Sequence, residues 1–246
     1  MDFKIVWFIV VGFLAQLIDG ALGMAYGVSS NAFLLSLGIS PASASMSVHT
    51  AETFVTLISG LSHLKLGNVD LKMFKKLVIP GVSGGIVGAY ILTAVPGEVI
   101  KPFVSAYLLI MGLVILYRAT AKKLRERHVD SYLGLLAVVG GFFDAIGGGG
   151  WGPIVTTTII ARGHNPRFAI GSVNLAEFFV TVAQVATFVL TLGTLEWLPV
   201  VGLLIGGAIA APMAAFICKK IPTRALMAIV GVLIVALSIR TIYLAL

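Results

Sequence analysis

Charge is scarce in this chain. Only 11% of its 246 residues are Asp, Glu, Lys or Arg, while 59% are hydrophobic. Soluble domains average about 25% charged residues. Too little polar surface is available to face water on all sides, and a mean hydropathy of +1.06 agrees. A soluble globular fold is excluded; an all-α polytopic membrane protein is expected. At about 20 residues per span, the length holds roughly eight to ten membrane segments. Cysteine is nearly absent too. Cys218 stands alone, so an intramolecular disulfide and a thiolate metal cluster are both excluded. The four histidines, His49, His63, His128 and His164, show no His-x-x-x-His pairing. No metal site and no cofactor are expected.

Enzyme and nucleotide motifs are missing as well. No Gly-x-Ser-x-Gly, His-Glu-x-x-His or P-loop pattern occurs. A hydrolase, a zinc protease and direct nucleotide drive are therefore disfavoured. The net charge is +7, and "RATAKKLRERH" (Arg118 to His128) holds five of the 17 Lys and Arg residues. That run is short and lacks interleaved aromatics, so it reads as a cytoplasmic loop near anionic headgroups and not as a nucleic-acid arm.

What the chain does contain is an internal duplication. Shifted by 125 residues, Asp19 falls on Asp144, Gly23 on Gly148, Gly27 on Gly152, Gly38 on Gly163 and Pro41 on Pro166. "SVHTAETFVT" (Ser47 to Thr56) falls on "SVNLAEFFVT" (Ser172 to Thr181), and 13 of the 38 positions from Asp19 to Thr56 are identical without a gap. Shared membrane composition would align Leu, Val and Ala. It would not align Asp, Glu, Pro and Gly. Two repeats follow, 1–125 and 126–246, which together form one integral membrane domain. The start, "MDFKIVWFIVVGFLAQLIDG", could pass for a signal peptide, but it has an internal counterpart near 128–143 and is expected to be structural.

Each repeat opens on a long hydrophobic region, Phe3 to Leu37 and Ser131 to Ala161, interrupted by "IDGALGMAYG" or "FFDAIGGGGWGP". Glycine costs a helix about 1 kcal/mol per interior site, so four in a row followed by Pro153 should break it. The expectation is two short helices per region, 3–18 with 27–37 and 131–143 with 153–161, forming a broken or re-entrant pair. Three plain spans follow in each half, near 42–64, 73–94 and 101–118, then 167–190, 197–218 and 222–244. Basic residues weigh the topology. If each broken pair enters and returns, Lys and Arg divide 14 to 3 between the two sides; if each crosses once, they divide 11 to 6. The first split fits the positive-inside tendency better. Each half then crosses an odd number of times, the halves are inverted repeats, and both termini lie on the non-cytoplasmic side. This is the plan of many secondary transporters, with a site at the midplane where broken helices meet.

Non-helical backbone within a bilayer is tolerated only beside protein or a water-filled cavity. The two glycine-rich tips are therefore expected to meet and to offer backbone N–H groups to a small anion. Candidate substrate-binding residues are Gly20, Gly23, Gly27, Gly147, Gly148, Gly149, Gly150, Trp151 and Gly152, with Ser47, His49, Ser172 and Asn174 from the repeated motif. Trp151 would wall a cavity; Trp7 and Trp197 read as interfacial belt residues. Asp19 and Asp144 are either caps for the broken helices or coupling carboxylates. Glu52 and Glu177 lie mid-span, where a charge costs at least about 2.5–3.5 kcal/mol, so they should face the interior and carry a role. His49 sits one turn before Glu52 on the same face; a proton-carrying pair and a structural hydrogen bond are the two readings. Gly84, Gly85, Gly88, Gly206 and Gly207 read as close helix packing.

These paired stretches, "GFLAQLIDGALGMAYG" with "PASASMSVHTAETFVT" and "GGFFDAIGGGGWGP" with "NPRFAIGSVNLAEFF", resemble the TauE/SafE sulfite exporter family, also called the toluene sulfonate uptake permeases, over essentially the whole chain. The resemblance implies a multi-pass cell (inner) membrane transporter of small sulfur-containing anions: sulfite, thiosulfate, sulfoacetate or organosulfonates. Its partners would be that anion, the bilayer and protons, with a homo-oligomer left open. A passive anion channel and a non-transport membrane protein, either an intramembrane enzyme or an assembly factor, are the alternatives.

Overall fold

The computed structural model describes residues 3–22, 24–120, 131–162, 164–217 and 223–245. Every element among them is helical: α1 (Phe3–Leu22), α2 (Tyr26–Ser36), α3 (Pro41–Lys65), α4 (Leu71–Ala94), α5 (Gly97–Thr120), α6 (Leu133–Gly147), a π-helical turn (Gly152–Thr156) that runs into α7 (Thr157–Ala161), α8 (Pro166–Leu192), α9 (Trp197–Ile217) and α10 (Thr223–Ala245). Three of them, Leu71–Ala94, Gly97–Thr120 and Arg167–Leu192, are apolar enough throughout to cross a bilayer by length and composition alone. Helix α3 is equally long but carries His49, Glu52 and a run of Ser and Thr, which lower its hydropathy.

Polarity is arranged for lipid. Large apolar side chains point outward, Leu190 at 86%, Ile79 at 75% and Leu135 at 72% exposure, while Ser45, Ser47, His49, Glu52, Asp144 and Gln184 are buried. A soluble protein does the reverse.

Both breaks occur inside the glycine-rich stretches, but the helix before each one runs four residues past the expectation, α1 to Leu22 instead of 18 and α6 to Gly147 instead of 143. In the second half the chain stops being helical at Gly147 and resumes at Trp151, with Gly148 left-handed at φ 63°. In the first half the glycines are spaced singly, and one isolated glycine does not end a helix. Helix α1 runs past Asp19 and Gly20 to Leu22, and α6 runs past Asp144 to Gly147, so in both halves the aspartate lies in the last turn of the helix and the break follows it. Its 20 residues span about 30 Å, the thickness of the hydrocarbon layer. Helix α2, with 11 residues, reaches only about 16 Å and spans no bilayer. The following helices start on matching caps. Ser40 and Asn165, 125 positions apart, each precede a proline at the first helical position and accept an N–H from Ser43 and Arg167 respectively.

Packing between the halves is reciprocal. Helix α1 lies against α9 and α6 against α4, while α3 meets α8 and α5 meets α10. Small residues permit the first two contacts. A Cβ on Gly84 would sit 2.1 Å from the Val138 carbonyl oxygen, and one on Gly88 would sit 2.4 Å from that of Phe142. On the other side, a Cβ on Gly206 would sit 2.0 Å from the Ile9 oxygen. These helices touch backbone to backbone, the small-residue packing expected for membrane interfaces.

Loop contacts sort into two sets. Arg167 reaches the Asn68 side chain and the Leu66 carbonyl (2.9 Å), and the Ser172 hydroxyl takes the Asp70 N–H at 2.8 Å. The loop after α3 thus touches the start of α8. Arg118, at the end of α5, donates to the Thr157 carbonyl at 3.0 Å. The second set joins other segments. Lys4, Leu37, Ile39 and Glu196 line one pocket; Ser40, Val95 and Leu192 line another; Arg240 donates to the Ser36 carbonyl at the end of α2.

Candidate functional site

The two broken segments touch at their tips. A Cβ on Gly27 would lie 2.5 Å from the Gly148 carbonyl oxygen and 2.6 Å from Gly149 Cα; one on Gly149 would lie 2.1 Å from the Val28 nitrogen. Only glycine allows this approach. Asn31 of α2 ties the tips together by donating its amide to the Gly147 carbonyl. On the far side Tyr107 packs over Gly147 and Gly150, and its hydroxyl donates to the Gly149 carbonyl at 3.3 Å.

Asp144 organises the second tip. Its Oδ1 accepts the Gly150 and Trp151 amides at 2.7 and 2.9 Å. Its carbonyl accepts the Gly148 and Gly149 amides, the latter at 3.0 Å. Asp19 makes the equivalent, longer contact in the first half: its Oδ1 accepts the Tyr26 amide at 3.5 Å. Both aspartates therefore cap the helix that follows the break. The Gly150 amide, expected to be open to an anion, is held in the fold by Asp144, as is the amide of Trp151. The other Asp144 oxygen, Oδ2, accepts the Gln184 amide at 3.0 Å, and Gln184 also donates to the Gly141 carbonyl at 3.2 Å.

The His49–Glu52 pair abuts this hub. His49 Nδ1 lies 3.0 Å from Glu52 Oε2 and 3.9 Å from Asp144 Oδ2, while Nε2 lies 3.1 Å from the Asp144 carbonyl oxygen. All three side chains are buried. A carbonyl oxygen only accepts, so Nε2 carries a proton. Nδ1 faces a carboxylate oxygen, so one further proton must lie between them, either on Glu52 or on His49. Removing that proton would leave two acceptors facing each other at 3.0 Å, and they would repel. The imidazole ring is held flat against Phe188, 6.3 Å between centroids and 11° between planes. Nearby, Ser45 donates to the Ala145 carbonyl and fastens α3 to the end of α6.

The repeat-related Glu177 differs. It is 7% exposed and lies within electrostatic reach of Glu52, Asp19 and Asp144, yet its carboxylate makes no hydrogen bond among the described residues. Asn174, also buried, does not bond to it as His49 does to Glu52. Glu52, Asp144, Glu177 and His49 thus share the interior where α3, α6 and α8 converge, and Asp19, near the end of α1, lies within electrostatic reach of Glu52 and Glu177.

A family model described as "Sulfite exporter TauE/SafE" matches residues 8–241. The chain belongs to the TauE/SafE sulfite exporter family. It is 44% identical over 248 residues to the "Probable membrane transporter protein YtnM" of Bacillus subtilis, covering 97% of this chain and 83% of that protein. It is also 26% identical over 188 residues to the "Probable membrane transporter protein ORF9" of a Sinorhizobium species, covering 75% of this chain and 67% of that one. No solved structure matches.

Within this TauE/SafE member, the residues singled out from sequence divide into groups. Gly27, Gly147 to Gly150, Asp144, His49 and Glu52 converge at the hub. Gly20 lies in the last turn of α1, and Gly152 begins the π-helical turn. Trp151 is fully buried under Gly81 and Gly140, with its indole N–H on the Val173 carbonyl at 3.2 Å. It packs where a cavity wall was expected. Ser172 is committed to Asp70; its counterpart Ser47 is buried with its hydroxyl unpartnered. Gly23 lies outside the described residues, as do most of the basic residues in 118–127 and Cys218. Sequence reasoning missed Gln184, Asn31 and Tyr107. Gln184 and Asn31 fall opposite Ser59 and Thr156, so identity between repeats gave no signal. A polar residue amid "TVAQVATF" was the available clue.

Proposed function

We propose that the protein is a secondary transporter that moves a small sulfur-containing anion, such as sulfite, thiosulfate, sulfoacetate or an organosulfonate, by alternating access coupled to protons. Family membership and the names of both relatives support membrane transport and argue against an enzyme. The sulfur anion comes from the family description.

One observation carries the coupling: the buried His49–Glu52 pair is hydrogen-bonded to the backbone of the residue that caps the second broken segment. Losing the shared proton turns attraction into repulsion at that point. The strain falls on α3 and on the Asp144 turn, which are the parts a midplane anion would meet. Asp144 must be displaced before an anion can approach the Gly150 and Trp151 amides, and the His49–Glu52 pair is bonded to its backbone. Asp19 and Glu177 complete the carboxylate set, and the free Ser47 hydroxyl is a donor available to the substrate.

We read the halves, 1–125 and 126–246, as inverted, with both termini non-cytoplasmic in a cell (inner) membrane. Loop contacts support this. Segments 66–70 and 165–172 meet, as two loops on one side should, and Lys4 shares a pocket with Leu37 and Glu196. A single-cysteine scan in a Cys218→Ser background tests it: residues in 65–76 and 162–167 should label from the same side, and opposite labelling ends the inverted reading.

Uptake of labelled sulfite and thiosulfate into proteoliposomes, with and without a pH gradient, tests the function. Saturable uptake that grows with the gradient, and that loses this dependence in Glu52→Gln, is the expected result. Saturable uptake indifferent to the gradient removes the coupling; no uptake of any sulfur anion removes the substrate class.

A further inference from the structure

A second pocket lies away from the hub, where the start of α1, the α2–α3 loop and the start of α9 come together. It encloses about 420 Å³, and its lining includes Lys4, Trp7, Leu37, Glu196 and Trp197, with Phe8 at its base. Trp7 and Trp197 are 60% and 66% exposed, whereas Trp151 is fully buried. Two outward tryptophans at helix starts, beside the charges that flank the hydrophobic segments, mark the membrane–water interface. Lys4 and Glu196 line the same pocket yet form no ion pair with each other or with another described residue. Both charges are presented to whatever occupies the space.

We propose that this pocket binds the headgroup of a zwitterionic phospholipid. The phosphate pairs with Lys4. The cationic amine lies between the Glu196 carboxylate and the faces of Trp7 and Trp197, which attract cations. The acyl chains continue along Phe8 and Leu37 toward the hydrocarbon. The charge arrangement sets the preference. Phosphatidylglycerol offers Lys4 the same single phosphate charge, but its glycerol is uncharged and leaves the Glu196 carboxylate unanswered beside that phosphate. A zwitterion answers both. A volume of about 420 Å³ lies in the range of small-ligand sites. This site is independent of the transport reading and stands or falls separately.

The pocket carries its own probe. The full chain is reconstituted in bilayers in which an equal mole fraction of either phosphatidylethanolamine or phosphatidylglycerol bears brominated acyl chains, and tryptophan quenching is read. Trp7 and Trp197 report the pocket, while buried Trp151 supplies a constant background; a Trp7→Phe/Trp197→Phe variant measures that background and should lose the headgroup-dependent quenching. The wild type should bind phosphatidylethanolamine about two- to fivefold more tightly than phosphatidylglycerol, the size of one exposed ion pair. Glu196→Gln should narrow or reverse that ratio by strengthening phosphatidylglycerol. Lys4→Glu should weaken both lipids. A gain in one lipid by Glu196→Gln cannot arise from misfolding, so this variant keeps the test decisive even if Lys4→Glu is unstable. Equal quenching by both headgroups in the wild type, or a ratio unmoved by Glu196→Gln, overturns the proposal in favour of ordinary annular lipid. Absence of quenching by either lipid, together with crosslinking between copies, overturns it in favour of a protein–protein contact.

Discussion

Glycine at the tip contact can be tested by three substitutions that separate two effects. Gly38 has φ +90° and nothing within 4 Å of an added Cβ, so Gly38→Ala probes backbone conformation alone. Its cost should be about 1 kcal/mol. Gly27 has ordinary φ, but its added Cβ would lie 2.5 Å from the Gly148 oxygen and 2.6 Å from Gly149 Cα. Ordinary contact begins near 3.4 Å. The obstacle is backbone, which cannot rotate away as a side chain can. Gly27→Ala must push the tips apart by nearly an ångström, at the cost of an overpacked core, about 1–3 kcal/mol. Gly149 combines both effects, φ +155° and a Cβ 2.1 Å from the Val28 nitrogen. Gly149→Ala should cost about 2–5 kcal/mol. Thermal unfolding of the detergent-purified protein, followed by size-exclusion, reads these differences at about 2–4 °C per kcal/mol for a chain of this size. The expected order of stability is Gly38→Ala, then Gly27→Ala, then Gly149→Ala, with uptake falling only in the last two. Should Gly149→Ala melt together with Gly38→Ala and transport normally, the two broken segments do not meet as described.

Further predictions concern the hub. His49→Asn copies the second half at this position and leaves Glu52 buried without its partner. It should destabilise by about 3–5 kcal/mol, and Glu52→Gln in the same chain should recover part of that loss in a double-mutant unfolding cycle. Gln184→Leu removes the donor from Asp144 Oδ2 at 3.0 Å and should cost about 1–3 kcal/mol; a melting temperature equal to wild type would show that Gln184 does not hold Asp144. Tyr26→Phe and Trp151→Phe each remove one long-range bond, to the Leu203 carbonyl at 3.2 Å and to the Val173 carbonyl at 3.2 Å. Tyr26→Phe is the milder swap, about 0.5–1.5 kcal/mol. Trp151→Phe should cost more, since the indole also fills the space over Gly81 and Gly140, and a reversed order in unfolding experiments would contradict this packing.

The sequence by itself determined the solvent, the duplication and the breaks. Composition requires lipid because a chain with so few charges cannot cover itself for water. The repeat is visible because Asp, Glu, Gly and Pro recur at fixed spacing where membrane composition alone supplies only aliphatics. The break at Gly147 to Gly150 is local chemistry: consecutive glycines forfeit helix stability on the spot, and neighbours are not needed to know it. The exact helix ends were weaker signals: α1 and α6 each outran the expectation by four residues, to Leu22 and Gly147. The His49–Glu52 pairing was also local, one helical turn apart. Tertiary structure decided the rest. That Asp144 spends one oxygen on Gln184, that His49 reaches the Asp144 carbonyl, and that Gly27 touches Gly149 all join residues 40 to 122 positions apart. Such contacts depend on how α3, α6 and α8 pack, and a hydrophobic pattern specifies which face of a helix is buried without specifying which partner buries it. The same limit explains Trp151: an aromatic beside a glycine-rich turn reads equally as cavity wall or as core, and only the close approach of α4 and α6 over its ring made it core.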